Sequence, residues 1–402
     1  MSITIKFPDG NTQEYDSQTT CFQVACGISE GLGRAFVAAE LDGGLVDLAA
    51  PIPDGDHTLR ILTQRDPESL EILRHTAAHI MAQAVRNLYG DKVQYTIGPA
   101  LTDDFQYGFY YDFDLPESIS ADDLVKIEAE MKRISKSKTP IERIALSPAE
   151  ARQQMLANGQ EYKAEMIDDL LAAEDSVDTI SLYRQGEFVD MCRGPHLPDT
   201  GKLKVFKLLT LAGAYWRGDV KNKMLTRIYG TAFFDKKELA AHLERIAEAK
   251  KRDHRILGKQ LGLFTLSDEV GPGLPLWLPK GTIIRMELEG WLRGQLLKRG
   301  YQAVMTPHIG RLDLYRTSGH YPYYEHGLFP TLDMGEDEGY LLKPMNCPHH
   351  IQIYKSSQRS YRELPVRLSE FGTVYRFEKS GELTGLTRVR GFTQDDAHIF
   401  CS

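Results

Sequence analysis

Residues Ile3 to Phe7 alternate apolar and polar side chains and read as a short strand, and Pro8-Asp9-Gly10-Asn11 supplies a hairpin turn. Ala35–Leu41 and Thr58–Leu62 read as further strands, set off by turn signals at Asp42-Gly43-Gly44 and Pro53-Asp54-Gly55-Asp56. Short strands around one helical stretch predict a small β-grasp module over residues 1–63. At Asp66-Pro67 the period changes: Asp66 suits an N-cap and Pro67 the first helical position. The predicted helix runs to about Tyr89, with Leu70, Leu73, Ala77, Ile80, Ala84 and Leu88 on its apolar side. Residues 64–235 mix helices and strands, and Ser147-Pro148-Ala149-Glu150 fits a capping box. Residues 236–258 are densely charged, with Leu239, Leu243 and Ile246 at helical spacing, which predicts a solvated linker helix whose basic end could touch a phosphate backbone. From 259 to 402, Gly/Pro punctuation, a helix at 281–299 and several strands predict a third domain. The fold class expected is α+β.

Composition narrows the picture. No apolar run approaches the roughly 18 residues a membrane span needs, and the N-terminus lacks the apolar core of a secretion signal. Five cysteines (Cys21, Cys26, Cys192, Cys347, Cys401) are too few and uneven for a disulfide scaffold, so a reducing cytoplasm is expected. The formal net charge is −8, which argues against a nonspecific nucleic-acid coat but not against a local basic groove. The charge is also uneven. Residues 1–64 hold three basic and nine acidic side chains, and residues 251–402 hold 20 basic and 17 acidic. A polyanion should therefore prefer the C-terminal part.

Two constellations carry chemistry. His75-Thr-Ala-Ala-His79 places two imidazoles one helical turn apart, and Asp190-Met-Cys192-Arg-Gly-Pro-His196 lies far downstream. Two His plus Cys and His can make a tetrahedral zinc site, or a metal-free hydrolytic pocket in which His acts as acid or base or orients a water. Lys163 could add a positive charge. The second constellation lies at 371–400. Val374-Tyr-Arg376-Phe-Glu378 alternates, so Arg376 and Glu378 are expected on one strand face. After a polar, Gly-rich loop and Arg388-Val-Arg390-Gly391, a second strand projects Phe392, Gln394, Asp396 and His398 from one face. A hairpin of the two suits a nucleotide, with Phe392 for stacking and Arg376 for phosphate. Upstream, Cys347 in Met345-Asn-Cys347-Pro-His349-His350 could join His398 as two of the three protein ligands of an open zinc site, with His349 and His350 as competitors.

Arg376-Phe-Glu378 with Arg388-Val-Arg-Gly-Phe392 resembles motif 2 of the class II aminoacyl-tRNA synthetases, and Met345-Asn-Cys347 with Gln394-Asp-Asp396-Ala-His398 resembles the threonyl-tRNA synthetases in particular. The helix at 281–299 with Met305-Thr-Pro307 is similar to motif 1, and Gly319-His-Tyr-Pro322 also fits. Residues 1–63 resemble the TGS (ubiquitin-like) domain, and the His75/His79 and Cys192/His196 pairs resemble the family's α/β editing domain. The resemblance covers essentially the whole chain. It implies an antiparallel-sheet catalytic domain at 259–402 carrying motifs 1 and 2 but not motif 3, the third zinc-ligand histidine or the anticodon-binding domain, so that this polypeptide alone is expected not to complete aminoacylation.

The resemblance further implies threonine–tRNA ligase activity with ATP, L-threonine and tRNA(Thr), a homodimer, Mg²⁺ with ATP, and one Zn²⁺ per full-length chain on Cys347, His398 and a ligand outside this sequence. Arg376 would hold the carboxylate and α-phosphate, Glu378 the adenine side, Phe392 the ring and Arg388 a distal phosphate. Asp396 would accept from the threonine hydroxyl, with Gln394 and Met345 lining the pocket. A site that binds a hydroxyl rejects valine by about 10⁴ or more, whereas serine lacks only a methyl, worth roughly 1–3 kcal/mol. A second site that hydrolyses seryl-tRNA(Thr) is therefore expected, lined by His75, His79, Lys163, Asp190, Cys192 and His196 and favoured as metal-free. The alternatives are a freestanding trans-editing hydrolase and a noncatalytic RNA-binding paralogue.

Overall fold

The alternation at the front of the chain folds as a mixed sheet in the order Thr12–Asp16, Ser2–Lys6, Gly55–Thr63, Phe36–Leu41, Gly44–Val46. Ser2–Lys6 and Gly55–Thr63 run parallel, and the other neighbours are antiparallel. The helix Cys21–Ile28, capped by Thr20 in a capping box, buries Cys21, Val24 and Ala25 against Ile3, Ile5, Phe36 and Leu59. The structure is a computed structural model describing residues 2–173, 177–333, 335 and 339–402. Two compact units result, Met1–Ile246 and Ala247–Ser402.

Within the first unit, the long helix Pro67–Tyr89 lies at the centre of the core. Its Ile72, Leu73, Ala77, Ile80, Met81 and Ala84 pack against Tyr95, Phe109, Tyr111 and Phe113 of an antiparallel sheet ordered Val205–Tyr215, Met224–Phe233, Phe109–Asp114, Gln94–Tyr95. A smaller sheet, Phe188–Met191, Ile180–Gln185, Ile141–Leu146, carries its own apolar cluster with the helices Pro148–Ala157 and Glu161–Ala173. The β-grasp strands are not a separate bead. Val37, Ala38 and Leu62 belong to the same core as the long helix, and each would lose about 1.5–3 kcal/mol if exposed, Ala38 less. The boundary expected after residue 63 is thus a change of topology and not a break in packing.

Three local expectations need correction. Asp66 makes no side-chain cap; its carboxylate instead accepts from the Thr63 N–H and hydroxyl, closing the turn before the helix. Leu88 is exposed, because the helix ends one residue later and has no facing element there. The linker at 236–258 is two helices, Lys236–Lys251 and His254–Leu261, because Asp253 turns extended and caps the second by accepting from the Arg255 N–H. The capping box at Ser147 forms as expected.

In the second unit, Val366–Tyr375 pairs antiparallel with Gly391–Phe400 and parallel with the short strand Gln302–Ala303. A second small sheet is ordered Ile309–Arg311, Gly339–Leu342, Leu332–Asp333. The helix expected at 281–299 spans Pro279–Lys298 and leaves Ile283, Met286, Leu288 and Trp291 exposed, the last by 65%. No described helix is long and apolar enough to cross a membrane.

Candidate functional sites

The His75/His79 spacing sets two rings edge-on on one face of the long helix, with centroids 5.0 Å apart. The loop after the strand Phe188–Met191 brings His196 against both, 4.3 Å from each. Cys192 Sγ lies 3.0 Å from His196 Nε2. Among the described residues, His75, His79, Cys192 and His196 form a group whose donor atoms all lie within 4.8 Å of one another. They sit at a cleft of about 800 Å³ that Lys163, Tyr111, Met191 and Gly194 also line.

Burial sets the protonation of this group. His75 is pushed down to about 4 by desolvation, and the Lys163 ammonium adds to the effect against the opposing charge of Asp190. His79 and His196 fall well below their ordinary range for the same first reason. Desolvation drives the Cys192 thiol upward. At neutral pH the cleft therefore presents neutral imidazoles and a protonated thiol.

A buried polar layer lies beneath. Lys163 Nζ is 2.8 Å from Asp190 Oδ1 and donates to the Met191 carbonyl at 3.1 Å. Asp190 also accepts from the Tyr111 hydroxyl at 2.5 Å and lies 3.4 Å from His79 Nδ1. Thr76 accepts from the Leu197 N–H at 3.0 Å and meets His196 Nδ1 at 3.1 Å, so it fixes the ring. All six residues expected here are brought together. Thr76, Tyr111 and Tyr183 were missed, since each acts through a partner far along the chain (His196, Asp190 and Asp47), with no local spacing to betray it.

The second constellation is only partly as expected. The first strand of the hairpin starts at Val366 and ends at Tyr375, so Arg376 and Glu378 lie beyond it and do not share a strand face. The reason is that, after an Arg376 N–H bond to the Arg390 carbonyl that still follows the ladder register, the Phe377 N–H turns to the Gly327 carbonyl and the pairing stops. Arg376 still reaches the expected surface, its guanidinium 5.1 Å from the Phe392 ring centroid. Glu378 is paired with Arg388 at 2.8 Å, and Arg388 also reaches Glu382. The second strand keeps the expected alternation: Gln394, Asp396 and His398 are half-buried, while Asp395, Ala397 and Ile399 are exposed. Gln394 lies opposite Gly372, and Met345 Sδ contacts His320 Nε2 at 3.1 Å.

Beneath Asp396 sits a buried network that sequence reasoning did not find. Glu370, its cross-strand partner, accepts from the Thr306 N–H at 2.7 Å and meets His350 Nε2 at 3.1 Å, with Lys343 donating to the Thr306 hydroxyl at 2.6 Å. Asn346 donates to Asp396 at 3.0 Å, which needs Gly372 opposite: a Cβ there would stand 2.4 Å from the Asn346 amide oxygen.

Cys347 and His398 are donor types that zinc takes. Cys347 opens the helix Cys347–Lys355; burial first, and the Asp396 charge second, push its thiol up, and the same Asp396 charge acts on the His398 imidazole. His398 is lowered chiefly by burial, so its ring is neutral as a ligand must be, and its buried Nδ1 has no hydrogen-bond partner among the described residues. His350, 4.6 Å from His398 between centroids, has an orphan Nδ1 as well and remains a competitor.

Comparison with known proteins adds independent matches. Residues 3–63 match the TGS domain model, 180–229 the threonyl and alanyl tRNA synthetase second additional domain, and 331–402 the class II tRNA synthetase core domain (G, H, P, S and T). A threonine–tRNA ligase of Rhodopirellula baltica is 48% identical over 463 aligned residues, covering 100% of this chain and 61% of its own length. Those of Halalkalibacterium halodurans and Staphylococcus saprophyticus are each 52% identical, covering 99% of this chain and 60% of theirs. The chain thus spans about 60% of the length of the curated relatives it matches.

Proposed function

We propose that the chain is part of a threonyl-tRNA synthetase and that its residues 64–235 hydrolyse seryl-tRNA(Thr) within an enzyme that ligates threonine to tRNA(Thr) in the cytoplasm. The observation that carries the hydrolytic part is the convergence of His75, His79, Cys192 and His196 in one buried cleft over the Lys163–Asp190 pair. The bond to be broken is the ester joining the seryl carbonyl to the terminal ribose. A neutral imidazole lone pair orients the attacking water and accepts its hydrogen bond. His75 suits this role: both imidazoles line the cleft, but His75 is the more exposed of the two, while His79 is buried with its Nδ1 toward Asp190. Asp190 and Lys163, each satisfied by the other, hold the floor of the site without adding net charge. The four donors could hold a cation, yet the Lys163 ammonium acts on both His75 and His79 and opposes one. Metal-free hydrolysis is the reading these charges favour.

The synthetic half is the hairpin face of the second unit. Arg376 would meet the amino-acid carboxylate and α-phosphate, Phe392 the adenine ring, Glu378 its polar edge and Arg388 a distal phosphate, released from Glu378 and Glu382 by the nucleotide. Cys347 and His398 would hold zinc with a third ligand from outside this chain; bound there, the ion would coordinate the threonine amino and hydroxyl groups. Asp396 would accept from the hydroxyl, with Gln394 and Met345 lining the pocket. Mg²⁺ would accompany ATP. A second copy of the chain covering Ile283, Met286, Leu288 and Trp291 would give the family's homodimer.

Deacylation of Ser-tRNA(Thr) tests the hydrolytic reading: wild type should release serine, and the His75→Ala/His79→Ala variant should not. An inert wild type would overturn it. Metal analysis of the full-length protein should find about one zinc per chain, lost in Cys347→Ser. A second, Cys192-dependent zinc would move the hydrolytic site to metal chemistry.

A further inference from the structure

The histidine loop is also clamped from the β-grasp domain, and we infer that Asp47 is a positioning residue of the hydrolytic site, which gives that domain a direct part in editing. Asp47 follows the short strand Gly44–Val46 and is separated from Tyr183 and His196 by well over a hundred residues of sequence. Both of its carboxylate oxygens are used on them. Oδ2 accepts from the Tyr183 hydroxyl at 2.5 Å, and Oδ1 accepts from the backbone N–H of His196 at 3.0 Å. The Arg143 guanidinium, itself bonded to Ser181, lies 4.0 Å from Oδ2 and supplies the nearest positive charge.

The contact locks the loop that carries two of the four chemical side chains. Tyr183 is buried, and its ring packs edge-on to the His196 imidazole with centroids 4.5 Å apart. The chain between Cys192 and His196 passes directly over the Tyr183 hydroxyl. Gly194 has φ +67°, and a Cβ there would stand 1.8 Å from that oxygen. His196 is therefore fixed at three points: its backbone by Asp47, its Nδ1 side by Thr76 and its Nε2 side by Cys192. Of these, Asp47 alone belongs to residues 1–63. It touches neither the cleft's free volume nor any reacting atom, so it acts through His196 and Tyr183. A loop side chain that loses one of three clamps samples misplaced geometries, and a displacement of about 1 Å at a reacting group can lower a rate on the order of 10²-fold.

The inference rests on the hydrolytic reading above, and the experiment separates the two. Deacylation of Ser-tRNA(Thr) is measured under saturating and subsaturating substrate for wild type, Asp47→Ala, Asp47→Asn, Tyr183→Phe and the Asp47→Ala/Tyr183→Phe pair. Asp47→Ala should lose about 10- to 100-fold in kcat with KM changed by less than about twofold. Asp47→Asn keeps an acceptor for the His196 N–H and should recover most of that loss. The double variant should be no worse than Asp47→Ala, because the two residues act as one unit. Cys192 alkylation by iodoacetamide, read by mass spectrometry at its own peptide, should rise about tenfold in Asp47→Ala as the loop opens more often. If wild type proves inert toward Ser-tRNA(Thr), the hydrolytic reading fails, and the alkylation rate alone decides whether Asp47 clamps the loop. Wild-type kcat in a folded Asp47→Ala, or unchanged Cys192 alkylation, would overturn the inference. An Asp47→Ala that does not fold shifts the decision to Asp47→Asn against Tyr183→Phe: equal activity in those two and wild type would equally overturn it.

Discussion

The two polar constellations of this chain are built on opposite principles. The histidine cleft of the first unit is closed on itself: Lys163 and Asp190 are 3% and 0% exposed and neutralise each other, and the His196 imidazole is held by Thr76 and Cys192. The hairpin face of the second unit is open. Arg388 is half-exposed and turned onto Glu378 and Glu382, while Asn346 Oδ1 and the Nδ1 atoms of His350 and His398 have no hydrogen-bond partners among the described residues. On the proposed reading, the first site needs only water and one ester and can be finished by its own chain. The second, if it receives a charged nucleotide, an amino acid and a metal, would keep donors and acceptors free for them and pair its mobile charges provisionally.

Removing chemistry from the closed site gives the largest expected effect. His75→Ala/His79→Ala should lower Ser-tRNA(Thr) deacylation by about 10²–10⁴-fold, the range for losing a positioned acid–base group. Full activity in that variant would break the contrast at its root. Next comes the floor. Lys163→Met leaves Asp190 buried with an uncompensated charge, which costs about 3–5 kcal/mol in comparable pairs. The Tyr111 hydroxyl and the Met191 N–H still bond Asp190, so the lower end is expected, a fall of roughly 6–12 °C in the melting of the first unit. Adding Asp190→Asn should restore part of it.

Much of the closed site was legible because its parts are local. His75-x-x-x-His79 is a helical spacing, and Cys192-x-x-x-His196 is a single loop, so each pair announces itself. What joins them is not local. Asp47, Thr76 and Tyr183 matter through contacts more than a hundred residues distant in sequence, and periodicity carries no trace of them. The same limit hid Glu370, whose strand shows no clean alternation: Leu368, Ser369 and Glu370 are all buried in succession. The alternation at Val374–Glu378 was real as a pattern but fell across the strand's end. The long-range backbone bond from Phe377 to Gly327 decided that boundary. The β-grasp topology was readable from its turns, whereas the shared core through Val37 and Leu62 was not.

Acid should sharpen the contrast with a smaller effect. The His75 folded-state value is about 4 against an ordinary 6.5. Below 6.5 the unfolded chain takes up a proton that the folded site refuses, so stability is full above that value and drains as pH falls toward 4. From pH 7 to 5 the loss from His75 alone is about 2 kcal/mol, and His79 and His196 add in the same direction. Deacylation should show no loss near pH 6.5, since His75 stays neutral to about 4. A rate that halves near 6.5 would mean the imidazole is far more hydrated than the buried cleft allows.

The smallest effect belongs to the open site. Arg388→Met removes two ion pairs that look as good as Lys163–Asp190 by distance, 2.8 Å each. Distance is the wrong measure here. Arg388 keeps its hydration in the folded state, so its partners lose little when it leaves, and long exposed side chains lose entropy in holding the pair. The expected shift in the melting of the second unit is therefore within that of an ordinary surface substitution. Nucleotide binding by the full-length protein should weaken all the same, because the freed Arg388 is what the distal phosphate would meet. A melting loss as large as that of Lys163→Met would show that the Glu378–Arg388–Glu382 cluster is a structural clamp, and the picture of a site held open for its substrates would fail.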